Sequence, residues 1–309
     1  MKKRPPRSPF KPLSHNLSPK PQAESIETRI EDAAGIRRVN IQRIGRSAPE
    51  RVLDKVPVEE PLSISISHWF KDVEHTGNFA VTMRTPGNDR ELVAGLLFAE
   101  GIVRQPSDLP ELRALGAEPS NEILAVLSKG VDFEAWRTDR VGLLNSSCGV
   151  CGKRSREAIA QATPLGCRDR LTVSASLVES LPVLLSERQR GFQATGGLHA
   201  AALCTVDGGI EAVFEDIGRH NALDKLIGWA FLHDTLPWQD RLVFLTSRGS
   251  FELVQKAAAA GAPILATVGG PSSLAIETAR DCQMTLIGFV RDGRFNIYSG
   301  DWRIHSEKR

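Results

Sequence analysis

Residues 241–290 read "RLVFLTSRGSFELVQKAAAAGAPILATVGGPSSLAIETARDCQMTLIGFV". Three short apolar runs, at 241–247, 263–269 and 284–290, have the length and composition of buried strands. Between them are two segments with helical spacing, the first of which ends at Gly261. This alternation of strands and helices predicts a parallel sheet with right-handed crossovers. We therefore expect an α/β protein built as a three-layer α/β/α sandwich.

The chain before this stretch predicts further strands and helices. "LSISISHWF" (62–70) alternates apolar and polar residues, as a half-buried strand does, and "GGLHAAALCTVDGGIEAVFED" (196–216) predicts two strands around a turn. "NALDKLIGWAFLH" (221–233) predicts an amphipathic helix with one apolar stripe. Two local features are also expected: a capping box in which Asn88 begins a helix, and a helix bend or break at Pro182.

Composition narrows the function classes. The 309 residues carry a formal net charge of +2, which argues against wholesale nucleic-acid binding. No apolar run reaches the length of a membrane-spanning helix, so we expect no membrane partner. The five cysteines are odd in number and mostly scattered, unlike a secreted disulfide framework. These features favour a cytoplasmic protein.

Domain boundaries are suggested by the charge and proline pattern. Residues 1–38 begin with a proline-rich, basic segment whose first acidic residue is Glu24, and we expect a disordered tail that is not a signal peptide. An N-terminal α/β part is expected over 39–140. The cysteine segment and the main α/β domain follow over 141–309.

Two loops are candidates for a ligand site, because ligands of open parallel sheets bind at the carboxyl ends of the strands. "TSRGS" (246–250) contains Ser247, Arg248 and Gly249, and "VGGPSS" (268–273) contains the pair Gly269–Gly270. Both can present backbone N–H groups and a helix start to an anion. Tight turns with ordinary helix caps explain the same residues, and the sequence leaves both interpretations open.

Two further segments add polar groups to this region. "VRDGR" (290–294) predicts a turn flanked by two arginines, either as a solvated hairpin or as a phosphate ligand. "EDIGRHNALDK" (215–225) places His220 at a helix start, where it is expected to be a neutral hydrogen-bond partner. Capping by Asp216 and Asn221 is the alternative. His199 follows two glycines and fits a structural histidine.

A cysteine pair lies in "NSSCGVCGKR" (145–154), as Cys148 and Cys151. A structural zinc site needs further cysteine or histidine ligands at set spacing, and none is present. A zinc deaminase needs a glutamate where Ala201 stands, so we exclude that chemistry. A mobile loop is predicted by the surrounding glycines. A thiolate there can attack a sulfur donor and hold the sulfur as a persulfide, and the second thiol can release or guard it.

Five motifs together resemble one family. They are "SSCGVCGK", "TGGLHAAAL", "FEDIGRHNALDKLIG", "LTSRGSFELVQKAA" and "ILATVGGPSSLAIETA", collinear between residues 40 and 300. The chain resembles the FdhD family of formate dehydrogenase accessory proteins, which are sulfur carriers. The resemblance implies a cytidine-deaminase-like α/β/α fold without deaminase chemistry.

The resemblance also implies a function and its residues. Cys148 is the expected persulfide carrier and Cys151 its companion. Sulfur is expected to come from a cysteine desulfurase and to go to the molybdenum cofactor, Mo-bis(molybdopterin guanine dinucleotide), before that cofactor enters formate dehydrogenase. The protein is thus a predicted sulfurtransferase and a homodimer, with no permanently bound metal. The resemblance assigns cofactor contact to the segment Phe289, Val290, Arg291, Asp292, Gly293 and Arg294. The two loops and the helix start described above add Ser247, Arg248, Gly249, Gly269, Gly270 and His220 to the expected cofactor-binding residues.

Two other functions remain open from the sequence. A non-catalytic chaperone could shelter the molybdenum cofactor with the same loops. A redox or zinc protein could use the Cys-x-x-Cys pair instead.

Overall fold

The computed structural model of the chain describes residues 26–27, 35–45, 48–117, 119–134 and 171–306. These residues form a mixed α/β fold. The strands are β1 (Ile26–Glu27), β2 (Ile36–Arg43), β3 (Glu50–Pro57), β4 (Glu60–Phe70), β5 (Val73–Arg84), β6 (Glu111–Ala114), β7 (Glu122–Val126), β8 (Val173–Ser174), β9 (His199–Cys204), β10 (Ile210–Asp216), β11 (Leu242–Leu245), β12 (Ile264–Thr267), β13 (Thr285–Arg291), β14 (Arg294–Ser299) and β15 (Ile304–His305). The α-helices are α1 (Asp89–Ala99), α2 (Ala175–Ser186), α3 (Arg190–Thr195), α4 (Arg219–Leu232), α5 (Phe251–Ala259) and α6 (Ser273–Asp281). Short 3₁₀ turns occur at Pro106–Asp108 and Asp301–Arg303.

A seven-stranded sheet organises the carboxyl-terminal part, in the order β1-β10-β9-β11-β12-β13-β14. Strands β11, β12 and β13 are parallel, as the sequence predicts. Strand β9 runs antiparallel to both of its neighbours, β10 and β11. The predicted pair of strands over 196–216 is therefore confirmed as a hairpin.

Helices cover both faces of this sheet. Successive strand residues point to opposite sides, so each strand contributes to a core on each face. Val243 and Leu245 point into a core formed with α4, α5 and α6. Leu242 and Phe244 point into a second core formed with α2. The α/β class is thus confirmed, with helices on both faces of its main sheet.

A second, four-stranded sheet has the order β5-β4-β7-β6. Leu62, Ile64 and Ile66 of β4 alternate toward a third core, which they share with α1. Phe231 of α4 enters the same core. Helix α4 therefore connects the two halves of the molecule.

Helices α1 and α4 are in direct backbone contact. A Cβ atom added at Gly95 would overlap the carbonyl oxygen of Asp224, and one added at Gly228 would overlap that of Glu91. Only glycine fits at either position. This crossing fixes the four-stranded sheet against the middle of α4.

The prediction of a single apolar stripe on α4 was wrong. Every residue from Asn221 to Phe231 is buried, including Asp224 and Lys225. The physical reason is that α1 covers the side of α4 that faces away from the sheet. Asp224 and Lys225 are consequently buried in ion pairs, a context that periodicity alone does not show.

Two local predictions also differ from the structure. Asn88 has left-handed backbone angles (φ 57°, ψ 36°) and its side chain makes no capping bond, so the predicted capping box is absent there. Pro182 lies inside α2, which continues to Ser186, so the helix does not break there, and a bend at this residue stays a prediction. The helical run instead breaks between Ser186 and Arg190.

The predicted tail contains two ordered parts. Strand β1 pairs in parallel with β10, and β2 begins at Ile36, so the described residues of 1–38 lie in or beside strands. The other residues of that range lie outside the described part of the chain. The boundaries 39–140 and 141–309 stay predictions.

Candidate functional site

Three loops meet at the carboxyl edge of the parallel strands. They are the arginine loop (246–250) after β11, the glycine loop (268–273) after β12, and the hairpin turn (289–294) between β13 and β14. This edge of an open α/β sheet is where ligands bind. We call the three loops the loop cluster.

The arginine and glycine loops are joined by backbone hydrogen bonds. The N–H of Gly269 donates to the carbonyl of Ser247 (3.0 Å), and the N–H of Ser272 donates to that of Gly249 (3.0 Å). A Cβ atom at Gly269 would lie 2.8 Å from Cγ of Arg248. The glycine therefore leaves space for the arginine side chain, whose residue is exposed.

Phe289 joins the hairpin turn to the glycine loop. Its N–H donates to the carbonyl of Gly269 (3.2 Å), and a Cβ atom at Gly270 would lie 2.7 Å from its ring. Its backbone is left-handed (φ 57°), at an irregularity in the β13–β14 pairing. The guanidinium carbon of Arg291 lies 5.6 Å from the ring centroid. Arginine and aromatic ring thus face the same side of the cluster.

The turn itself is a tight hairpin. Asp292 and Gly293 both have positive φ (56° and 66°), and Arg291 pairs with Arg294 across the strands. Both arginines are exposed, whereas the side chain of Val290 is fully buried in the core. Of the residues predicted in this segment, Val290 therefore has a packing role.

His220 lies in the first turn of α4, on the side of the arginine loop. Its Nε2 atom is 3.2 Å from a carboxylate oxygen of Glu252 and 3.5 Å from the hydroxyl of Ser250. The histidine is thus linked to the start of α5. Glu252 is a partner that the sequence analysis missed, although it follows the predicted loop by two residues.

Both interpretations of the two loops have support. Ser272 caps α6 by accepting the N–H of Ala275 (3.2 Å), as an ordinary helix cap does. Ser250, at the start of α5, makes no side-chain capping bond. The α5 start therefore keeps backbone donors directed to the same edge as Arg248.

His199 lies beside the loop cluster because β9 runs antiparallel to β11. Burial lowers the pKa of this half-buried histidine, and the positive charge of Arg219 lowers it further, while Asp216 opposes both. The neutral imidazole is favoured. This agrees with the interpretation of His199 as structural.

A buried ion pair lies behind the cluster. Lys225 Nζ is 2.7 Å from a carboxylate oxygen of Asp216, and it donates to the carbonyl of Thr85 (3.0 Å). The other carboxylate oxygen of Asp216 accepts from the backbone of Gly218 (2.8 Å) and the amide of Asn221 (3.1 Å). The N-cap of α4 is Gly218 and no side chain makes a capping bond there, so the predicted capping by Asp216 and Asn221 was wrong. The aspartate forms a buried salt bridge instead.

A second buried pair joins α4 to α5. Lys256 Nζ lies 2.6 and 2.7 Å from the two carboxylate oxygens of Asp224. His220 and Asp224 are four residues apart on α4, as Glu252 and Lys256 are on α5, so the contacts form a two-step ladder. The i, i+4 spacing in both segments was the sequence signal for it.

Glu215 holds the start of helix α3 by hydrogen bonds. Its carboxylate accepts the N–H groups of Gly191 and Phe192 at the start of α3, both at 2.8 Å. Burial raises the pKa of this carboxyl, and the two hydrogen bonds oppose that effect. Together with the two ion pairs, this contact gives most charged residues of "EDIGRHNALDK" a structural role.

A cavity of about 450 Å³ opens beside the cluster. Its lining is mainly apolar, with His199 and Thr246 among the polar members. The backbone of Gly196 and Gly197 forms part of the rim, and Val268 connects it to the glycine loop. The volume and the mainly apolar lining of this cavity suit a partly apolar ligand group.

The cysteine pair of the sequence analysis, Cys148 and Cys151, lies outside the described residues. Within them, Cys204 and Cys282 are both buried. Burial raises the pKa of the Cys204 thiol to about 12, so it is not a thiolate at neutral pH. Neither described cysteine is suited to carry sulfur.

The described residues contain no group of three or more histidine, cysteine, aspartate or glutamate side chains that could hold a metal ion. Among the helices described here, none is long and apolar enough to cross a membrane.

These features define an α/β protein with an exposed, arginine-bearing loop cluster at the carboxyl edge of its main sheet. Comparison with known proteins identifies it more closely. The model of the FdhD/NarQ family matches residues 57–305, and the chain belongs to this family.

Relatives and a solved structure each match most of the length of this chain. The chain is 41% identical over 278 residues to "Sulfur carrier protein FdhD" of Mycobacterium tuberculosis, covering 85% of this chain and 97% of the relative. It is 38% identical to the protein of the same name from Sulfurisphaera tokodaii, covering 87% and 99%. The crystal structure of a protein described as a formate dehydrogenase accessory protein from Desulfotalea psychrophila superposes with a TM-score of 0.66 at 21% identity. It covers 88% of this chain and 100% of that one, and it shows a shared fold.

Proposed function

We propose that the protein is a sulfur carrier required for formate dehydrogenase activity, with Cys148 as the carrying residue. The observation that carries this proposal is the match to relatives named sulfur carrier proteins, which extends over nearly their whole length. The neighbouring structure is described as a formate dehydrogenase accessory protein, which points to the enzyme that is served. The helices on both faces of the main sheet are compatible with the cytidine-deaminase-like sandwich that the resemblance implies.

Loading begins with a persulfide on a cysteine desulfurase. The Cys148 thiolate attacks the outer sulfur of that persulfide, the donor's S–S bond breaks, and the desulfurase leaves as a thiolate. One S–S bond forms as one breaks, so no external oxidant is needed. Cys148 then holds the sulfur as a persulfide.

Release uses the second cysteine. The Cys151 thiolate attacks Sγ of Cys148, which forms a disulfide and expels the outer sulfur as hydrosulfide toward the molybdenum. The transferred sulfur gains the two electrons that the thiols lose, and a cellular dithiol then reduces the disulfide. The protein acts in this way as a sulfurtransferase.

The substrate is Mo-bis(molybdopterin guanine dinucleotide), held at the loop cluster. Arg248, Arg291 and Arg294 are exposed there, and none forms an ion pair with a described residue. Guanidinium groups and the N–H groups at the start of α5 suit the phosphates of the dinucleotides. The adjoining cavity suits an aromatic ring system. A cytoplasmic homodimer completes the proposal.

Intact-mass measurement tests the carrier role. The full-length protein is incubated with a cysteine desulfurase and L-cysteine, and an added mass of one sulfur atom is expected. It should be absent from Cys148→Ala and present in Cys282→Ala, a matched control at a buried cysteine. Survival of the adduct in the Cys148→Ala/Cys151→Ala double variant would reject the proposal.

Cell complementation separates the carrier from the two alternatives. If the double variant binds the molybdenum cofactor but fails to restore formate dehydrogenase activity, sulfur transfer is the function. Restoration would make the protein a cofactor-binding chaperone. One equivalent of zinc in the purified protein, lost with the cysteines, would instead favour a zinc protein.

A further inference from the structure

Strands β2 and β3 form a ribbon that stands apart from the two larger sheets. They pair over their full length, from Ile36 opposite Pro57 to Arg43 opposite Glu50. Within the described structure, no residue of either strand is buried. Strand β3 contacts helix α3, and this is little packing for a two-stranded ribbon, which is marginally stable in water by itself. The exposure of the ribbon therefore favours contact with another surface.

The two faces of the ribbon differ in charge. Directly opposed residues point to the same side, which defines a mixed face and a basic face. The mixed face combines valine and isoleucine side chains with the exposed ion pair Arg43–Glu50 (3.9 Å). The basic face consists of Ile36, Arg38, Asn40, Gln42, Arg51, Leu53, Lys55 and Pro57.

The basic face has three positive charges and no acidic residue. Arg38 and Lys55 are directly opposite each other, an arrangement of like charges that destabilises a ribbon. Neither Arg38 nor Arg51 forms an ion pair with a described residue. Leu53 lies between the charges and is 65% exposed. A negatively charged partner with an apolar contact would relieve both costs.

The base of the ribbon reaches the proposed substrate site. A Cβ atom at Gly197 would lie 2.8 Å from Cγ of Pro57. Gly197 lines the cavity beside the loop cluster. The basic face therefore extends outward from the rim of the cavity, where a substrate would leave the protein.

We propose that the basic face of the β2–β3 ribbon docks onto an acidic surface of the enzyme that receives the cofactor. This rests on the proposed function, since it assumes that the cofactor is held at the loop cluster. The exposed Leu53 at the centre of the face favours a protein over a nucleic acid. The position beside the cavity favours the receiving enzyme over the sulfur donor, whose target is Cys148.

Charge reversal tests the docking surface. Arg38→Glu/Arg51→Glu is compared with Arg104→Glu/Arg280→Glu, which makes the same charge change at exposed positions outside the ribbon. Binding of each full-length protein to cofactor-free formate dehydrogenase is measured by biolayer interferometry at low and physiological salt. The ribbon variant should bind at least about 10-fold more weakly, mainly through slower association, and lose most of the salt dependence.

The ribbon variant is designed to fold. Arg38→Glu replaces a like-charge pair with Lys55 by an opposite-charge pair, so its thermal midpoint should not fall. Unchanged affinity, or no binding by the natural protein, would overturn the proposal. Two other losses in the ribbon variant would also overturn it. Loss of sulfur loading by the desulfurase would assign the ribbon to the sulfur donor, and loss of binding to a DNA duplex would assign it to a nucleic acid. Failure of sulfur loading in the natural protein, with ribbon-dependent binding intact, would reject the carrier function and keep the docking surface.

Discussion

The α1–α4 crossing and the loop cluster are both rich in glycine, but the glycines have different roles. At the crossing, Gly95 and Gly228 allow two helix backbones to touch inside the molecule. In the cluster, Gly269 and Gly270 leave space for the side chains of Arg248 and Phe289 at the surface. The same residue type closes a core in one region and opens a site in the other.

Charged residues repeat this contrast. Asp216, Asp224, Lys225 and Lys256 are buried, and each has an oppositely charged partner. The arginines of the loop cluster are exposed. Burial and pairing, rather than residue type, separate the residues that stabilise the fold from those that are available to a ligand.

The largest expected effect is at the helix crossing. Gly228→Ala should leave little or no folded protein, because the added methyl group overlaps the backbone of Glu91. We expect a cost of at least about 5 kcal/mol, which is the lower end of the whole stability of a typical domain. Soluble yield and circular dichroism measure it. Gly77→Ala is the matched control, since a Cβ atom there meets nothing within 4 Å. A normally folded Gly228→Ala protein would contradict the described crossing.

The second-largest effect is expected at the buried ion pair between Lys225 and Asp216. Lys225→Met leaves the carboxylate of Asp216 buried without its cation, and we expect a loss of about 3–5 kcal/mol in the free energy of unfolding. Urea denaturation measures this loss. Adding Asp216→Asn should restore part of it, because the uncompensated charge is removed. A loss below about 1 kcal/mol would show that the pair is not buried as described.

Substitutions in the loop cluster should weaken ligand binding without lowering the stability of the fold. Arg248→Ala and Arg291→Ala should each weaken binding of guanosine diphosphate, a probe for the nucleotide ends of the cofactor, by about 10-fold. Unfolding free energies should change by no more than about 0.5 kcal/mol. Calorimetry gives both comparisons, with Arg280→Ala as the control. Loss of stability without loss of binding would move these arginines to the structural group.

The smallest effect concerns His199, between the two regions. Its pKa in the folded state lies below the ordinary value of 6.5, so the unfolded chain binds more protons in that interval. Stability should therefore rise with pH between the folded pKa and about 6.5, then level off. His199→Gln should flatten this part of the curve of unfolding free energy against pH. Identical curves for the two proteins would show that His199 does not contribute to the pH dependence of stability.

Much of the main sheet could be predicted from sequence. The strand–helix alternation over 241–290 and the turn at Asp207 both depend on local pattern, and the structure contains them at nearly the expected positions. The clustering of the three loops followed from strand order. These features need no information about distant contacts.

One miss involves distant contacts, and two are local. The surroundings of α4 depend on α1, which is more than 100 residues earlier in the chain, so the sequence did not show that Asp224 and Lys225 are buried. Asn88 was expected to cap α1 by residue type, yet its left-handed backbone prevents this. The ribbon was also missed, because charged residues interrupt the alternation of apolar and polar residues in "IRRVNIQR", the sequence of β2.

Hydrogen–deuterium exchange of the full-length protein, with and without guanosine diphosphate, tests whether the loop cluster is the nucleotide site. We expect the nucleotide to slow exchange in the arginine loop, the glycine loop and the hairpin turn, while the α1–α4 crossing is already slow and does not change. Protection confined to other parts of the chain, with the three loops unaffected at saturating nucleotide, would contradict this expectation.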